Sequence, residues 1–345
     1  MQPFILFVMF LLVPLAVGAQ APPTWVYYDL DTRVDGKPIT IVAFTGSAAA
    51  ANVLARGSLS YRLDVTDLAN PTLTPVQCAE ADFQREPTSF WAGPLVAGMA
   101  DDARQTVAGK DESVTGSTTA ILSFANGRCF PYLYPGSDHT WFTGISKTGG
   151  RVAGHFVNAF PEPGQGGRTR EHGFVIDYTV SMVGGVEVVT WGTPILLDGP
   201  GATTRNYPTA CNSNGVCVGY SEINIDANNK FTYAAWLRWP DGTYEPLTVP
   251  NGQPTCPLAI NDTPVVLLSE QTCNVNGGPA WWYDANTHTH YPLPMPTPDT
   301  TTLAPTGLSP ATGEMVLLAP QAGGGIRVVG RLAVAYPLAT FCGGW

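Results

Sequence analysis

From residue 98 onward one rhythm of apolar and polar positions recurs along the chain. A short alternating run enters a polar turn, and a β-branched run then closes on glycine. The copies read Gly98-Met99-Ala100-Asp101 to Thr106-Val107-Ala108-Gly109, and Gly144-Ile145-Ser146-Lys147 to Arg151-Val152-Ala153-Gly154. The next is Ala210-Cys211-Asn212-Ser213-Asn214-Gly215-Val216-Cys217-Val218-Gly219, with fainter copies starting at Ala259 and Gly307. Such a pattern is a β-hairpin: period-two alternation on either side of a turn built from Asn, Ser and Gly. A second anchor follows each of the first four copies. It is an aromatic or aliphatic strand: Ala120-Ile121-Leu122-Ser123-Phe124, Gly173-Phe174-Val175-Ile176, Ala235-Trp236-Leu237-Arg238-Trp239 and Ala280-Trp281-Trp282-Tyr283.

Two anchors recurring in one order make a structural repeat with a period of about 48 residues, the size of a four-stranded propeller blade. A unit this small cannot cover both of its faces alone, so units must stack on one another. The fold expected is therefore all-β, a propeller of four-stranded antiparallel sheets. The repeats start near 98, 144, 210, 259 and 307, and a divergent N-terminal blade covers about 25–90. In that blade Ile39 to Phe44 and Ser60 to Asp67 read as strands. Trp25-Val26-Tyr27-Tyr28 is placed to pair with the last, short unit and close the ring, which removes two sheet edges. The count comes to about six blades, with five or seven also compatible, in one domain over 20–345. The unit that starts at 144 carries surplus residues after Phe156 and after Thr179.

Several segments carry a family likeness. Gly-Ile-Ser-Lys-Thr-Gly-Gly-Arg-Val-Ala-Gly (144–154), His172-Gly173-Phe174 and Asp198-Gly199-Pro200-Gly201-Ala202-Thr203-Thr204 resemble the extracellular HAF-type repeat proteins, a group of secreted bacterial propellers. The resemblance covers roughly residues 98 to 290. It implies a secreted propeller and no assigned reaction or cofactor. The family pattern places a His before the aromatic strand. Only His172 keeps it, whereas Thr119, Ala234 and Pro279 stand there in the other copies.

Composition narrows the setting. Charged residues are 13% of the 345, and the formal net charge is −10, which excludes the basic footprint of a nucleic-acid binder. Residues 1–19 read as a signal peptide: an uncharged apolar run from Pro3 to Gly18, with Val17 and Ala19 before a cut at Gln20. No later stretch is long and apolar enough to span a bilayer. The expected location is secreted, periplasmic or at the cell surface. There the seven cysteines favour disulfides. Cys211 and Cys217 flank a turn and face one another across a hairpin. Cys256 and Cys273 flank a strand and form the second candidate pair. An odd count leaves one thiol free or bonded to another chain.

Candidate chemistry is thin. No G-x-S-x-G elbow occurs. Asp138-His139 sets an acid beside an imidazole on a loop, and a triad would need a partner from another blade. Loop acids at Asp101, Asp102, Asp111, Glu112, Asp177 and Glu222 would serve glycoside chemistry if gathered at one end of a channel. In an extended segment His288 and His290 share a face and supply half of a zinc or copper site, with no third ligand evident. Asn224, Asp226 and Asn228 place oxygens at positions 1, 3 and 5 of a calcium-type loop. However, Ala235 stands where the bidentate Glu belongs, and a hairpin turn reads better. No cofactor is expected beyond that calcium option. Trp239, Trp282 and Tyr283 offer ring faces for a sugar platform, although alternation sends half of such a strand into the core. The reading favoured by a repeated scaffold without a localised catalytic signature is a secreted binding or structural module. Its partner would be an extracellular protein or carbohydrate. The alternatives are a polysaccharide-acting hydrolase or lyase, and a self-assembling fibre or envelope subunit.

Overall fold

The architecture was read from a computed structural model. Backbone strands are described between Trp25 and Leu332, and side chains mainly over 119–292, with breaks at 125, 147–148, 159–169, 224–231, 254 and 271–280. The segment 1–19, Asp101, Asp102, Asp226, Asn228, Cys78, Cys273 and Cys342 lie outside the described residues, as do the side chains of Asp111, Glu112 and Asn224.

The chain is all-β. A first strand, β1 (Trp25–Leu30), precedes an antiparallel meander of β2 (Arg33–Val34), β3 (Lys37–Phe44), β4 (Ala48–Val53), β5 (Ser60–Asp64) and β6 (Thr72–Pro75). The next meander is β7 (Val96–Met99), β8 (Gln105–Glu112), β9 (Thr118–Phe124) and β10 (Cys129–Tyr132). Then come β11 (Ser137–Ile145), β12 (Arg151–Asn158) and the long β13 (Glu171–Val183), which folds back as β14 (Val186–Trp191). The near half of β13 takes β15 (Ile195–Leu196) as the fourth strand of that sheet, through Phe174 opposite Leu196. Two regular sheets follow: β16 (Asn206–Cys211), β17 (Cys217–Ile225), β18 (Phe231–Arg238) and β19 (Tyr244–Leu247), and after them β20 (Cys256–Ile260), β21 (Val265–Ser269), β22 (Ala280–Asp284) and β23 (Thr289–Pro292). The last sheet holds β24 (Ala304–Leu308), β25 (Met315–Pro320) and β26 (Ile326–Leu332), and β1 completes it, Trp25 opposite Leu332.

The leading strands form a ring. β3 touches β7, β7 touches β11, and the contacts continue through β16, β20 and β24 back to β3. Sheets radiating from a closed ring of leading strands, with the first strand of the chain bound into the last sheet, are a β-propeller. The repeated hairpin of the sequence falls on the first two strands of successive sheets, and the aromatic anchor falls on the third. The surplus after Thr179 is the extra β13–β14 hairpin.

Burial follows from stacking on both faces. Every residue of β21 is buried, because neighbouring sheets cover both sides of it and no polar face is needed. One apolar layer joins Val218, Leu237 and Leu247 to Ile260, Val266 and Leu268 across the seam between the β16–β19 and β20–β23 sheets. Another joins Ala153, Val175 and Leu197 to Trp236 and the Cys211–Cys217 disulfide. Cys129 and Cys256 are also disulfide-bonded. A third layer is largely aromatic, with Tyr132, Phe142, Phe156 and Phe174 under Trp191. Burial pushes the Tyr132 hydroxyl up to about 12, with Tyr134 adding to the shift.

Polar pins cross these seams. Asn212 is buried, accepts from the backbone N–H of Asn214 and Val216, and donates to the carbonyl of Asn261 in the next sheet. Asn261 repeats the turn, accepting from Thr263 and Val265. His172 Nδ1 lies 2.7 Å from Asp198 Oδ2, while the amide of Gly173 donates to Asp198 Oδ1. Trp236 donates to Ser221, Ser221 donates to Asn206, and Asn206 also accepts from Gly199. A Cβ at Gly199 would stand 2.3 Å from Ser221 Oγ, so only glycine lets the loop approach this chain of bonds. The His172–Asp198 pair thus ties the loop after β15 back to β13 within one sheet, and the Gly199–Asn206 bond joins that loop to β16 of the next.

Candidate functional site

β11 and β16 begin, and β12 and β17 end, at one rim of the ring. A row of rings runs there across two sheets. His139 lies 5.7 Å from Trp141, Trp141 lies 4.7 Å from His155, and His155 meets Tyr207 edge-on at 5.0 Å. Tyr207 stacks on Tyr220 at 5.0 Å, and Tyr220 meets Tyr233 at 5.7 Å. All six rings are half-buried. Cross-strand pairing explains the order: Trp141 is opposite His155, and Tyr207 is opposite Tyr220.

Arg205 sits beside this row, its side chain 46% exposed. Its Nε is 3.4 Å from Glu171 Oε1, and its Nη1 is 3.6 Å from Glu222 Oε1. A lone parallel bridge between Glu171 and Arg205 brings the β13 sheet to the start of β16 and sets this meeting. The Glu222 carboxylate is buried. Its Oε2 accepts from Thr204 Oγ1 at 2.6 Å, and its Oε1 faces the guanidinium beyond hydrogen-bond range. Burial, then the Glu171 charge, pushes the Tyr207 hydroxyl far above the ordinary phenol range. Burial and the neighbouring Tyr233 do the same for Tyr220. Both phenols stay protonated at neutral pH rather than forming phenolate nucleophiles, and the Tyr207 hydroxyl bonds the Glu171 carboxylate. Burial, helped by the Arg205 charge, lowers His155 to about 3, so its imidazole is neutral. The rim therefore combines aromatic faces, phenol donors and a cation between two carboxylates. Its net charge of one Arg against two Glu is negative.

The sequence candidates are dispersed. His139 heads the ring row, Asp138 is exposed beside it, and Glu222 belongs to the Arg205 cluster. Asp177 pairs with Arg151 at 2.6 Å, at the opposite rim. His288 and His290 do not form the expected extended pair. His288 lies in the turn before β23 with φ at 52°, which breaks the alternation that would put both rings on one face. His288 Nδ1 meets Tyr283 and Glu245, whereas His290 Nε2 lies 2.7 Å from the Thr248 carbonyl. Among the described residues, no three His, Cys, Asp or Glu side chains gather to hold a metal. The platform of Trp239, Trp282 and Tyr283 is also corrected. Trp282 and Tyr283 are 5% and 4% exposed, since β22 is an inner strand packed between sheets. Trp239 is half-buried against the Val218–Val266 layer. Asn224 lies on β17 rather than in a loop.

Sequence reading missed Trp141, His155, Glu171, Arg205, Tyr207, Tyr220 and Tyr233. One signal was present: the three tyrosines are evenly spaced, the interval at which a short meander returns to the same rim.

No family model matches the chain. No curated protein matches it either. Among solved structures, the chain is similar to the Kuenenia stuttgartiensis hydrazine synthase, at 9% identity and TM-score 0.48, over 89% of this chain and 43% of that one. It is similar to an oligogalacturonate lyase at 13% identity and TM-score 0.42, over 90% and 85%. The β-propeller domain of the Trilobed protease from Pyrococcus furiosus is similar at 7% identity and TM-score 0.44, over 87% and 85%. The chain spans under half the length of the hydrazine synthase chain. No helix among the described residues is long and apolar enough to cross a membrane.

Proposed function

We propose that this chain is an extracellular propeller of the HAF-repeat type that binds neutral saccharides at the Arg205 rim. The observation carrying the reading is the Trp141–His155–Tyr207–Tyr220–Tyr233 row beside a cation bracketed by Glu171 and Glu222. Ring faces stack on the apolar faces of pyranose rings, and hydroxyls need donors and acceptors side by side. Tyr220, Tyr233 and Arg205 supply the donors, and the partly exposed Glu171 carboxylate supplies the acceptor. A net negative rim on a chain of formal charge −10 disfavours uronates and sialic acids. Disulfide-bonded cysteines suit an extracellular ligand.

The test is calorimetry with neutral oligosaccharides and with matched uronate oligomers. Binding of the neutral series, weakened about tenfold by Tyr220→Ala and less by Tyr233→Phe, is the expected result. Equal binding of the uronates, or neutral binding indifferent to Tyr220→Ala, would overturn the assignment. A second reading, glycoside hydrolysis, draws on Glu171 and Glu222 approaching one guanidinium. Chain-length analysis of the bound oligosaccharide separates the two, because hydrolysis shortens it.

A further inference from the structure

The β13–β14 hairpin is surplus to the blade repeat and leaves the sheet at the rim opposite Arg205. Its inner face packs on the aromatic layer through Tyr178, Val189 and Trp191. Its tip is open: Met182 is 65% exposed, Val183 61% and Val186 49%. A second exposed apolar group, Ile195 and Leu196 at 50% each, lies on β15 along the same edge of β13. β14 has one strand neighbour, β13, and among the described residues no strand pairs with its other edge. We propose that β14 pairs antiparallel with β14 of a second copy of this chain, about a two-fold axis at Thr190.

Main-chain geometry leaves that edge ready to pair. The turn has two residues, Gly184 and Gly185 with φ at 60° and 81°, so the flanking Val183 and Val186 exchange both of their bonds. Alternation from there points the amides and carbonyls of Val188 and Thr190 to β13 and those of Glu187, Val189 and Trp191 outward. The Glu187 carbonyl accepts from Arg128 Nη1 at 2.6 Å, in keeping with that direction. Val189 and Trp191 remain, and a two-fold axis at Thr190 sets each opposite the other in the second copy, with two bonds in each pair. β14 has no Lys, no Pro and no bulge, the features that keep edge strands apart.

The exposed apolar groups select a second copy as the occupant. Measured along β13, Thr190 stands at Thr179, Val186 four positions to one side at Val183, and Ile195 four to the other at Val175. A two-fold axis exchanges those two places, so the hairpin tip of one copy covers Ile195 and Leu196 of the other. Charge permits the contact. From Tyr178 to Leu196 the one charged residue is Glu187, whose carboxylate accepts from Asn126 at 2.7 Å. Glu187 stands three positions from the axis, at Met182, so the two copies of it are about 20 Å apart, beyond a screening length of about 8 Å. Two chains of net charge −10 repel over most of their surfaces, and this uncharged strip is where they can meet.

The experiment is sedimentation equilibrium of the full disulfide-bonded chain from about 1 to about 300 μM. The contact is small beside that of a permanent dimer, so the expected result is a reversible monomer–dimer equilibrium in the micromolar range. Val188→Lys sets a charge at an exposed place on the edge strand and should weaken the dimer about tenfold or more, with the circular dichroism spectrum intact. Thr190→Cys puts two thiols opposite one another in a non-hydrogen-bonded pair, about 4.5 Å between Cα atoms, and should give a covalent dimer on mild oxidation. Ser181→Cys, on β13 and the same face of the hairpin, is the control and should give none. A chain that stays monomeric at the top concentration, a dimer indifferent to Val188→Lys, equal cross-linking of Ser181→Cys, or masses that climb past the dimer would each overturn the pairing. Capture of the chain by phosphatidylcholine vesicles, lost in Val188→Lys, would overturn it too and assign the strip to lipid.

Discussion

Replacing Asn212 by Ala tests whether the seams are held by side-chain pins or by apolar contact alone. Asn212 is 2% exposed and makes three bonds: it accepts from Asn214 N at 3.1 Å and Val216 N at 2.9 Å, and donates to Asn261 O at 2.9 Å. Asn214 is exposed, so water can replace the first bond at little cost. The Val216 amide and the Asn261 carbonyl belong to residues 3% and 2% exposed and would lose a buried partner each. A buried group left unsatisfied costs about 1–3 kcal/mol. For two such groups the expected loss is about 2–6 kcal/mol. Asn261→Ala is the matched control. The side-chain bonds described for Asn261 stay within its own turn, to Thr263 and Val265, so it should cost about 1 kcal/mol less than Asn212→Ala. Asn212→Asp keeps the acceptor but sets a carboxylate against the Asn261 carbonyl. It should be destabilising at pH 7 and recover as acid restores a donor. The assay is urea unfolding with disulfides intact, comparing midpoints at constant slope. An Asn212→Ala midpoint within about 0.5 kcal/mol of the parent, or a harmless Asn212→Asp, would refute the reasoning.

Two further outcomes follow from the same geometry. Because His155 is held at about 3 against an ordinary value of 6.5, the unfolded chain binds one proton more than the folded chain between those pH values. Stability present above pH 6.5 should therefore fall as pH drops toward 3, by up to about 1.4 kcal/mol per pH unit from this group. His155→Gln should flatten that slope in unfolding measured from pH 7 to pH 4, and an unchanged slope would contradict the buried neutral imidazole. The Cys211–Cys217 bond closes a loop over a sequence separation of 6, so the double Cys→Ser variant should lose about 2 kcal/mol in urea unfolding. An unchanged midpoint would show that the turn is already ordered in the unfolded chain.

The sequence alone determined the all-β propeller, because its evidence is periodic and local. Hairpin turns, β-branched runs and an aromatic third strand repeat at one period, and a repeat that cannot bury its own faces must stack. The Cys211–Cys217 pair was legible for the same reason, since a six-residue separation around Asn-Ser-Asn-Gly fixes a hairpin. Pairing of Trp25 with the last sheet was legible from the missing strand there. The candidate site was not legible, because it is made of residues distant in sequence. Arg205 meets Glu171 through one bridge between sheets. The direction of a ring at a strand end was equally hidden. Alternation sends Trp282 and Tyr283 to opposite faces of β22 and so left one of them open to solvent, but β22 has strands on both sides and sheets above and below, so stacking buried both. Local chemistry sets the period and the turns, whereas the packing of one sheet on the next decides which side chains share a site.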